Sequence, residues 1–180
     1  KWIKTQKTFY AEKMKRVYYL SLEFLVGRSL GNAIVNMGLM HEITQALQQL
    51  GYDLEVLQAC EEDEALGNGG LGRLASCFMD SIATMKIPAY GYGIRYDFGL
   101  FNQKIVDGYQ VETPDSWLRL GSPWMYERTS FMYPVQFYGH VTATTDENGR
   151  YRARWTDTQI VMAMACDLLV PGFNNDHVIN

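Results

Sequence analysis

The sequence lacks several features that would place it in a functional class directly. Its 180 residues contain no apolar run near the roughly 20 residues of a membrane-spanning helix, and no signal peptide is visible at the start. The net charge of −4 gives no broad basic surface, so we expect neither nucleic acid nor a membrane as a partner. The 3 cysteines show no C-x-x-C spacing and no cluster with histidine. We therefore expect reduced thiols in a cytoplasmic protein and no metal site.

The overall amino-acid composition is ordinary for a globular protein. Hydrophobic residues make up 47% of the chain and charged residues 20%, and the length fits one domain. The sequence begins at Lys1, without methionine and inside a predicted helix, and stops at Asn180 just after a turn-like segment. We therefore expect the chain to be a fragment of a longer protein.

Hydrophobic periodicity predicts a helical first half. The pattern indicates a strand over 17–25 and helices over 2–16, 29–50 with Gly51 as its C-cap, 53–60, and from Leu71 to just before Pro88. The last of these has the clearest pattern, because its apolar residues recur three and four positions apart.

The second half is predicted to be rich in strands. Alternation of period two predicts a strand over 90–98, and further strands are expected over 103–112 and 133–143. Residues 146–149, Asp-Glu-Asn-Gly, are a strong turn signal and predict a hairpin with the strand over 151–155. These halves together indicate an α/β fold with an antiparallel addition.

Residues 66–73, which we call the glycine loop, place four glycines in eight positions directly ahead of the amphipathic helix. Glycine lets a ligand approach the main chain closely. A helix begins with unpaired N–H groups and the positive end of its dipole, which together favour an anion such as phosphate. The competing interpretation is a tight turn that packs the helix on a sheet, but four glycines and Asn68 exceed what a turn needs.

Two phosphate motifs can be tested against the glycine loop. The dinucleotide pattern G-x-G-x-x-G is matched literally by Gly67, Gly69 and Gly72. That motif needs a buried strand directly before it and an acidic residue about 20 positions later. Residues 60–64 are mostly acidic, Asp80 is too early and Asp97 is late, so we disfavour it. A P-loop is excluded because Arg73-Leu74 stands where Lys-Ser/Thr is required.

Acidic residues leave two further questions open. Residues 61–64, which we call the acidic run, oppose anion binding unless they point to solvent or pair with basic groups outside this chain. Asp107, Glu112 and Asp115 lie close together among aromatic residues, as two carboxylates do in a glycoside hydrolase. Sequence spacing does not establish the separation that this chemistry needs.

The residues around the glycine loop go beyond generic motifs. They resemble, in order, the signature segments of α-glucan (glycogen, starch and maltodextrin) phosphorylases, through residues 19–28, 61–81, 89–96, 99–103 and 115–119. The resemblance covers essentially the whole chain. It implies that residues 1–180 are part of the N-terminal domain of a two-domain, GT-B-type glycosyltransferase. That domain is Rossmann-like α/β with added antiparallel strands, and the C-terminal cofactor domain is absent.

The resemblance also implies a reaction and a site. Such enzymes transfer the terminal glucose of an α-1,4-glucan to inorganic phosphate, giving glucose 1-phosphate with retention. They carry pyridoxal phosphate on a lysine outside this chain, and the cofactor phosphate donates a proton beside the substrate phosphate. By analogy, the N–H groups of Gly69 and Gly70 face the two phosphates, as cofactor-binding groups, and Leu71 lies against the glucosyl unit. Gly70 and Leu71 are the predicted catalytic positions.

The expected state of the whole protein follows from the same resemblance. The full-length enzyme is expected to be a cytoplasmic homodimer, and the chain by itself is expected to be inactive. Gln6 and Tyr10 occupy positions that contact a nucleotide effector in nucleotide-regulated members; the alternative is a surface helix that happens to keep them. The alternative to the enzyme is a stand-alone glucan- or dinucleotide-binding domain.

Overall fold

The computed structural model describes residues 1–180, and the chain divides into two compact units. Unit 1 comprises Lys1–Met125 and Leu168–Asn180, and unit 2 comprises Tyr126–Asp167. None of the helices has the length and apolar character needed to cross a membrane.

All five helices lie before residue 85, and the chain from Ala89 onward contains only strands and loops. In order, the helices and strands are α1 (Trp2–Ala11), β1 (Val17–Leu20), β2 (Phe24–Gly27), α2 (Leu30–Met37), α3 (Met40–Gln49), α4 (Leu54–Cys60), β3 (Glu64–Leu66), α5 (Gly70–Thr84), β4 (Ala89–Tyr92), β5 (Asn102–Val106), β6 (Tyr109–Thr113), β7 (Met125–Phe137), β8 (His140–Thr145), β9 (Tyr151–Thr156), β10 (Gln159–Leu168), β11 (Val170–Pro171) and β12 (Val178–Ile179).

The core of unit 1 joins the start, the middle and the end of the chain. Strands β1 and β4 pair in parallel, with Val17 opposite Ala89. The buried cluster consists of Phe9 from α1, Met79 and Ala83 from α5, and Ile179 from β12. The apolar face of α5 is therefore covered by elements that lie far from it in sequence.

The other strand pairs of unit 1 are antiparallel. Strand β2 pairs with β3, β5 forms a hairpin with β6, and β11 pairs with β12. The mixed α/β class predicted above is confirmed, but the structure forms several two-stranded sheets rather than one continuous sheet.

Unit 2 is built from four strands, β7 to β10, of which β7 and β10 are the longest in the chain. Strands β8 and β9 form an antiparallel hairpin with Val141 opposite Trp155, and β7 neighbours β10. The predicted turn over 146–149 is confirmed, because the Gly149 amide donates to the Asp146 carbonyl oxygen at 2.9 Å. Arg128 of β7 pairs with Asp167 of β10 at 3.4 Å.

Some predicted helices and strands are wrong in extent, because the chain turns within them. The single helix over 29–50 is two helices, since Gly38 has φ 70° and ends α2. Gly51 follows the C-cap Leu50 of α3 with φ 81°. The first helix ends at Ala11 rather than at residue 16, and Lys13 has φ 51°.

The predicted strands are interrupted in the same way. The strand over 17–25 breaks after Leu20, where the Ser21 hydroxyl donates to the Glu23 carbonyl oxygen at 2.7 Å. The strand expected over 90–98 ends at Tyr92. The segments 103–112 and 133–143 each contain a turn with two residues of positive φ, Asp107-Gly108 and Tyr138-Gly139.

Candidate functional site

The glycine loop connects β3 to α5. Strand β3 pairs with β2 through Phe24 opposite Leu66 and Leu25 opposite Ala65. Gly69 is the N-cap of α5 and has no side chain to cap it, while the Arg73 amide donates to the Gly69 carbonyl oxygen at 2.8 Å and closes the first turn. The amides at the very start of α5 have no acceptor within the helix and are available to a ligand.

Two of the four glycines are needed for packing within the chain. A Cβ on Gly67 would lie 2.7 Å from the Leu25 backbone nitrogen. Gly72 is buried, and a Cβ there would lie 3.2 Å from the same nitrogen. Both glycines therefore let the loop and the first turn of α5 lie directly against β2.

The other two glycines face open space. A Cβ on Gly69 or Gly70 would meet no atom within 4 Å. Gly69 has φ −164°, an extended conformation that any residue adopts, and Gly70 is helical. Neither packing nor backbone conformation within this chain explains glycine at these two positions, which are the two predicted to contact phosphate. Close approach by a ligand is a reason that fits both.

The charged side chains next to the glycine loop are used to hold it in place. The Asn68 amide donates to Glu23 Oε2 at 3.1 Å. Arg73 Nη1 donates to the carbonyl oxygens of Leu25 at 3.4 Å and of Val26 at 3.1 Å. Because Glu23 places a carboxylate beside the loop, a phosphate bound there needs cationic groups beyond these to balance its charge.

Leu71 is presented outward from the start of α5. Its side chain is 67% exposed, while Ala75, Met79 and Ala83 of the same helix are buried. The side chain is not part of the core and is available to contact a ligand beside the loop.

The acidic run is only partly bound within the chain. Glu62 and Asp63 are exposed, as one of the two interpretations expected, but the basic partner of Asp63 belongs to this chain rather than to another. Glu61 Oε1 accepts from the backbone amides of Ser29 at 2.9 Å and Leu30 at 3.1 Å, and from Trp124 Nε1 at 2.6 Å. A carboxylate thus caps the N-terminal end of α2 from 31 or 32 residues away. Asp63 pairs with Arg28 at 3.4 Å.

Glu64, the last residue of the acidic run, is a functional candidate that sequence reasoning missed. Its side chain is buried, at 2% exposure, and Oε1 accepts from the Ser122 hydroxyl at 3.2 Å. Burial raises the pKa of Glu64 from 4.5 to about 7, the hydrogen bond from Ser122 opposes the rise, and Glu61 adds to it. Nothing in the sequence distinguishes the buried Glu64 from its acidic neighbours Glu62 and Asp63, which are exposed.

The structure disfavours the dinucleotide and hydrolase interpretations. A short strand, β3, does precede the glycine loop, but it is antiparallel to its neighbour, whereas the dinucleotide motif uses a parallel β-α-β unit. Asp107 lies in the turn of the β5–β6 hairpin and Asp115 beyond the other end of β6. A strand of five residues separates Asp107 from Asp115 by roughly 17 Å, too far for a carboxylate pair. Glu112, the third acidic residue, is exposed on β6 and accepts a hydrogen bond from Gln110 at 3.0 Å.

The predicted effector residues lie one turn apart on α1 and have different surroundings. Gln6 accepts a hydrogen bond from the Tyr90 hydroxyl and donates to Asn180 Oδ1 at 3.3 Å. Tyr10 is 67% exposed, and the Arg16 guanidinium lies 4.4 Å from its ring centre. A nucleotide would have to replace the internal partners of Gln6.

A family model and individual curated proteins match this chain, and all of them are phosphorylases. The family model described as carbohydrate phosphorylase matches residues 47–180. The chain is 56% identical over 177 residues to "Glycogen phosphorylase" of Chlamydia trachomatis, covering 98% of this chain and 22% of that protein. It is 56% identical over 178 residues to "Glycogen phosphorylase, brain form" of Bos taurus and of Homo sapiens, covering 99% of this chain and 20% of each. The chain thus spans about a fifth of the length of these curated relatives.

Proposed function

The chain belongs to the carbohydrate phosphorylase family, and from that membership we propose that it is part of an α-1,4-glucan phosphorylase. The proposed reaction transfers the terminal glucose of the glucan to inorganic phosphate and yields glucose 1-phosphate. The observation that supports it most directly is the pair Gly69 and Gly70, which face open space at the start of α5.

The glycine loop supplies fixed N–H donors in the proposed reaction. Two phosphate groups in contact are strongly charged, and donors that are already in place stabilise that charge without reorganisation. Helix α5 sets the direction of these N–H groups, and its contacts with β2 hold it still. The exposed Leu71 side chain lies against the glucosyl unit.

Pyridoxal phosphate is the cofactor that the family implies, and the glycine loop fits its phosphate. The open sides of Gly69 and Gly70 admit an anion, while a Cβ at either position would occupy that space. When bound, the cofactor supplies a phosphate group that donates a proton beside the substrate phosphate. The lysine that carries it lies outside this chain.

The proposal extends to the whole protein. The chain forms part of the N-terminal, Rossmann-like domain of a two-domain GT-B-type enzyme; the parallel pair β1–β4 with α5 before β4 supports this architecture. We further propose that the full-length enzyme is a cytoplasmic homodimer and that Gln6 and Tyr10 contact a nucleotide effector.

The function is tested with the full-length protein that contains this chain and, separately, with the 180 residues alone. We expect the full-length protein to release glucose 1-phosphate from an α-1,4-glucan only when inorganic phosphate is present. The 180-residue chain should show neither this activity nor a stoichiometric absorbance band of pyridoxal phosphate. Release of free glucose without phosphate would contradict the proposed reaction, and cofactor uptake by the chain alone would contradict the assignment of the lysine.

A further inference from the structure

A buried carboxyl group lies at the base of the glycine loop. Glu64 is the first residue of β3, and the glycine loop begins at Leu66, the last residue of that strand. Its Oε1 atom accepts from Ser122, whereas Oε2 is buried without a hydrogen-bond partner. An ionised carboxylate with one oxygen unsatisfied in this position is more unfavourable than the neutral acid.

The groups around Glu64 do not offer it a compensating charge. Glu61 adds a second negative charge nearby. The cations on the neighbouring segments bind other groups: Arg28 pairs with Asp63, and Arg73 donates to the carbonyl oxygens of β2. Ser122 is a neutral donor and also accepts from the Trp124 amide at 3.3 Å. The surroundings favour the protonated side chain.

The position of Glu64 couples it to the loop mechanically. Strand β3 has three residues, and Glu64 lies opposite Gly27, next to an irregularity in the pairing with β2. The adjacent residues Ala65 and Leu66 pair with Leu25 and Phe24, and Gly67 then packs on the backbone of β2. A shift of Glu64 toward water would displace a strand too short to absorb the movement.

We propose that Glu64 is a positioning residue for the glycine loop: its buried neutral side chain keeps β3 in register on β2, and its ionisation lets the loop open. The consequence for catalysis rests on the function proposed above; the consequence for loop opening does not. The residue would make the geometry of the Gly69 and Gly70 amides sensitive to pH.

The direction of the effect follows from linkage. The carboxyl of Glu64 has a raised pKa in the closed loop, about 7 against 4.5 when exposed. The closed state is therefore favoured below the ordinary pKa and loses stability as the pH rises toward 7. With these two values the open fraction of the loop increases about tenfold between pH 6 and pH 8.

Hydrogen exchange on the full-length protein tests the structural part. We expect the protection of the Asn68 and Arg73 amides, which donate to Glu23 and to the Gly69 carbonyl oxygen, to fall about tenfold from pH 6 to pH 8 after correction for the intrinsic pH dependence of exchange. In Glu64→Gln, whose amide cannot ionise, this change should disappear. Glu62→Gln, at the exposed neighbouring residue, is the matched control and should behave like the unmodified protein.

A second variant keeps Glu64 and raises the pKa of its carboxyl group in the closed loop. Ser122→Ala removes the hydrogen bond that favours the ion, so the fall in protection should continue to higher pH and be larger between pH 6 and pH 8 than in the unmodified protein. Loss of protection in Glu64→Gln at both pH values would overturn the proposal, because the side chain would then be needed as an ion. A pH dependence that is the same in Glu64→Gln and the unmodified protein would also overturn it.

Kinetics of the full-length enzyme test the catalytic part. The KM for inorganic phosphate should rise more between pH 6 and pH 8 in the unmodified enzyme than in Glu64→Gln. The phosphate substrate titrates identically in both assays, so the difference between them is due to Glu64. An equal rise in both would overturn the catalytic role of Glu64. Absence of phosphorolysis in the unmodified protein would instead refute the proposed function and leave the exchange result standing.

Discussion

The four glycines of the loop serve two different purposes. Gly67 and Gly72 let the backbone lie against β2, whereas Gly69 and Gly70 have free space where a side chain would be. The sequence shows four equivalent letters, because the difference depends on how close β2 lies. The structure therefore separates positions needed for folding from positions that are available for function.

This difference predicts opposite outcomes for two similar substitutions in the full-length enzyme. Gly70→Ala should lower kcat/KM for phosphorolysis by roughly 100-fold, since a methyl group would displace the reacting phosphates, and leave the melting temperature unchanged or slightly higher. Gly67→Ala should cost about 1–3 kcal/mol of stability through its contact with Leu25. Kinetic assays and thermal unfolding of both variants measure the two effects. Normal turnover and phosphate affinity in Gly70→Ala would contradict the role of the loop.

At the scale of elements, helix ends are stabilised both by neighbouring residues and by residues that are distant in sequence. Asp53 caps α4 locally, accepting from the Glu55 amide at 2.7 Å. The N-terminal end of α2 is instead capped by Glu61, which follows α4 in the chain. Glu61 is therefore a structural connection between segments, whereas its neighbour Glu62 is exposed to solvent.

Glu61→Ala removes the acceptor of two backbone amides and of the Trp124 indole. We expect the free energy of unfolding to fall by about 2–3 kcal/mol, because hydrogen bonds to a charged group are lost. Glu62→Ala, an exposed neighbour, should change it by less than about 0.5 kcal/mol. Urea denaturation followed by tryptophan fluorescence distinguishes the two; equal effects would mean that Glu61 is not a cap.

Local sequence signals predicted the elements that depend on local interactions. Helix α5 and the turn over 146–149 follow from periodicity and turn residues alone. The Asp107-Gly108 turn has the same kind of signal, but it lies within a run of strand-forming residues that predicts a continuous strand. The burial of Glu64 and the connection of Glu61 to α2 depend on tertiary contacts, so no pattern of spacing could reveal them.

At the scale of the whole molecule, unit 1 is closed by its last strand. Ile179 is fully buried against Phe9 and α5. The Val178 amide donates to the Thr5 hydroxyl oxygen at 3.2 Å, and Asn180 Oδ1 accepts from Trp2 and Gln6. The amphipathic helix α1 is held by a segment at the other end of the sequence.

Ile179→Ala should therefore destabilise the protein by about 2–5 kcal/mol, the usual cost of a cavity in a packed core. Tyr109→Ala, at an exposed position of β6, should change the stability by less than about 0.5 kcal/mol. Urea denaturation of both variants checks this. A negligible effect of Ile179→Ala would mean that β12 does not close the core.

The contact of α1 with β12 has a consequence for how the protein is made. Thr5 and Val178 are 173 residues apart, so a ribosome adding 5–20 residues per second needs roughly 9 to 35 seconds to produce the partner of the first helix. Throughout that interval the packing site of Phe9 lacks Ile179 and remains incomplete. The nascent chain would depend on protection by chaperones at α1 until β12 has been made.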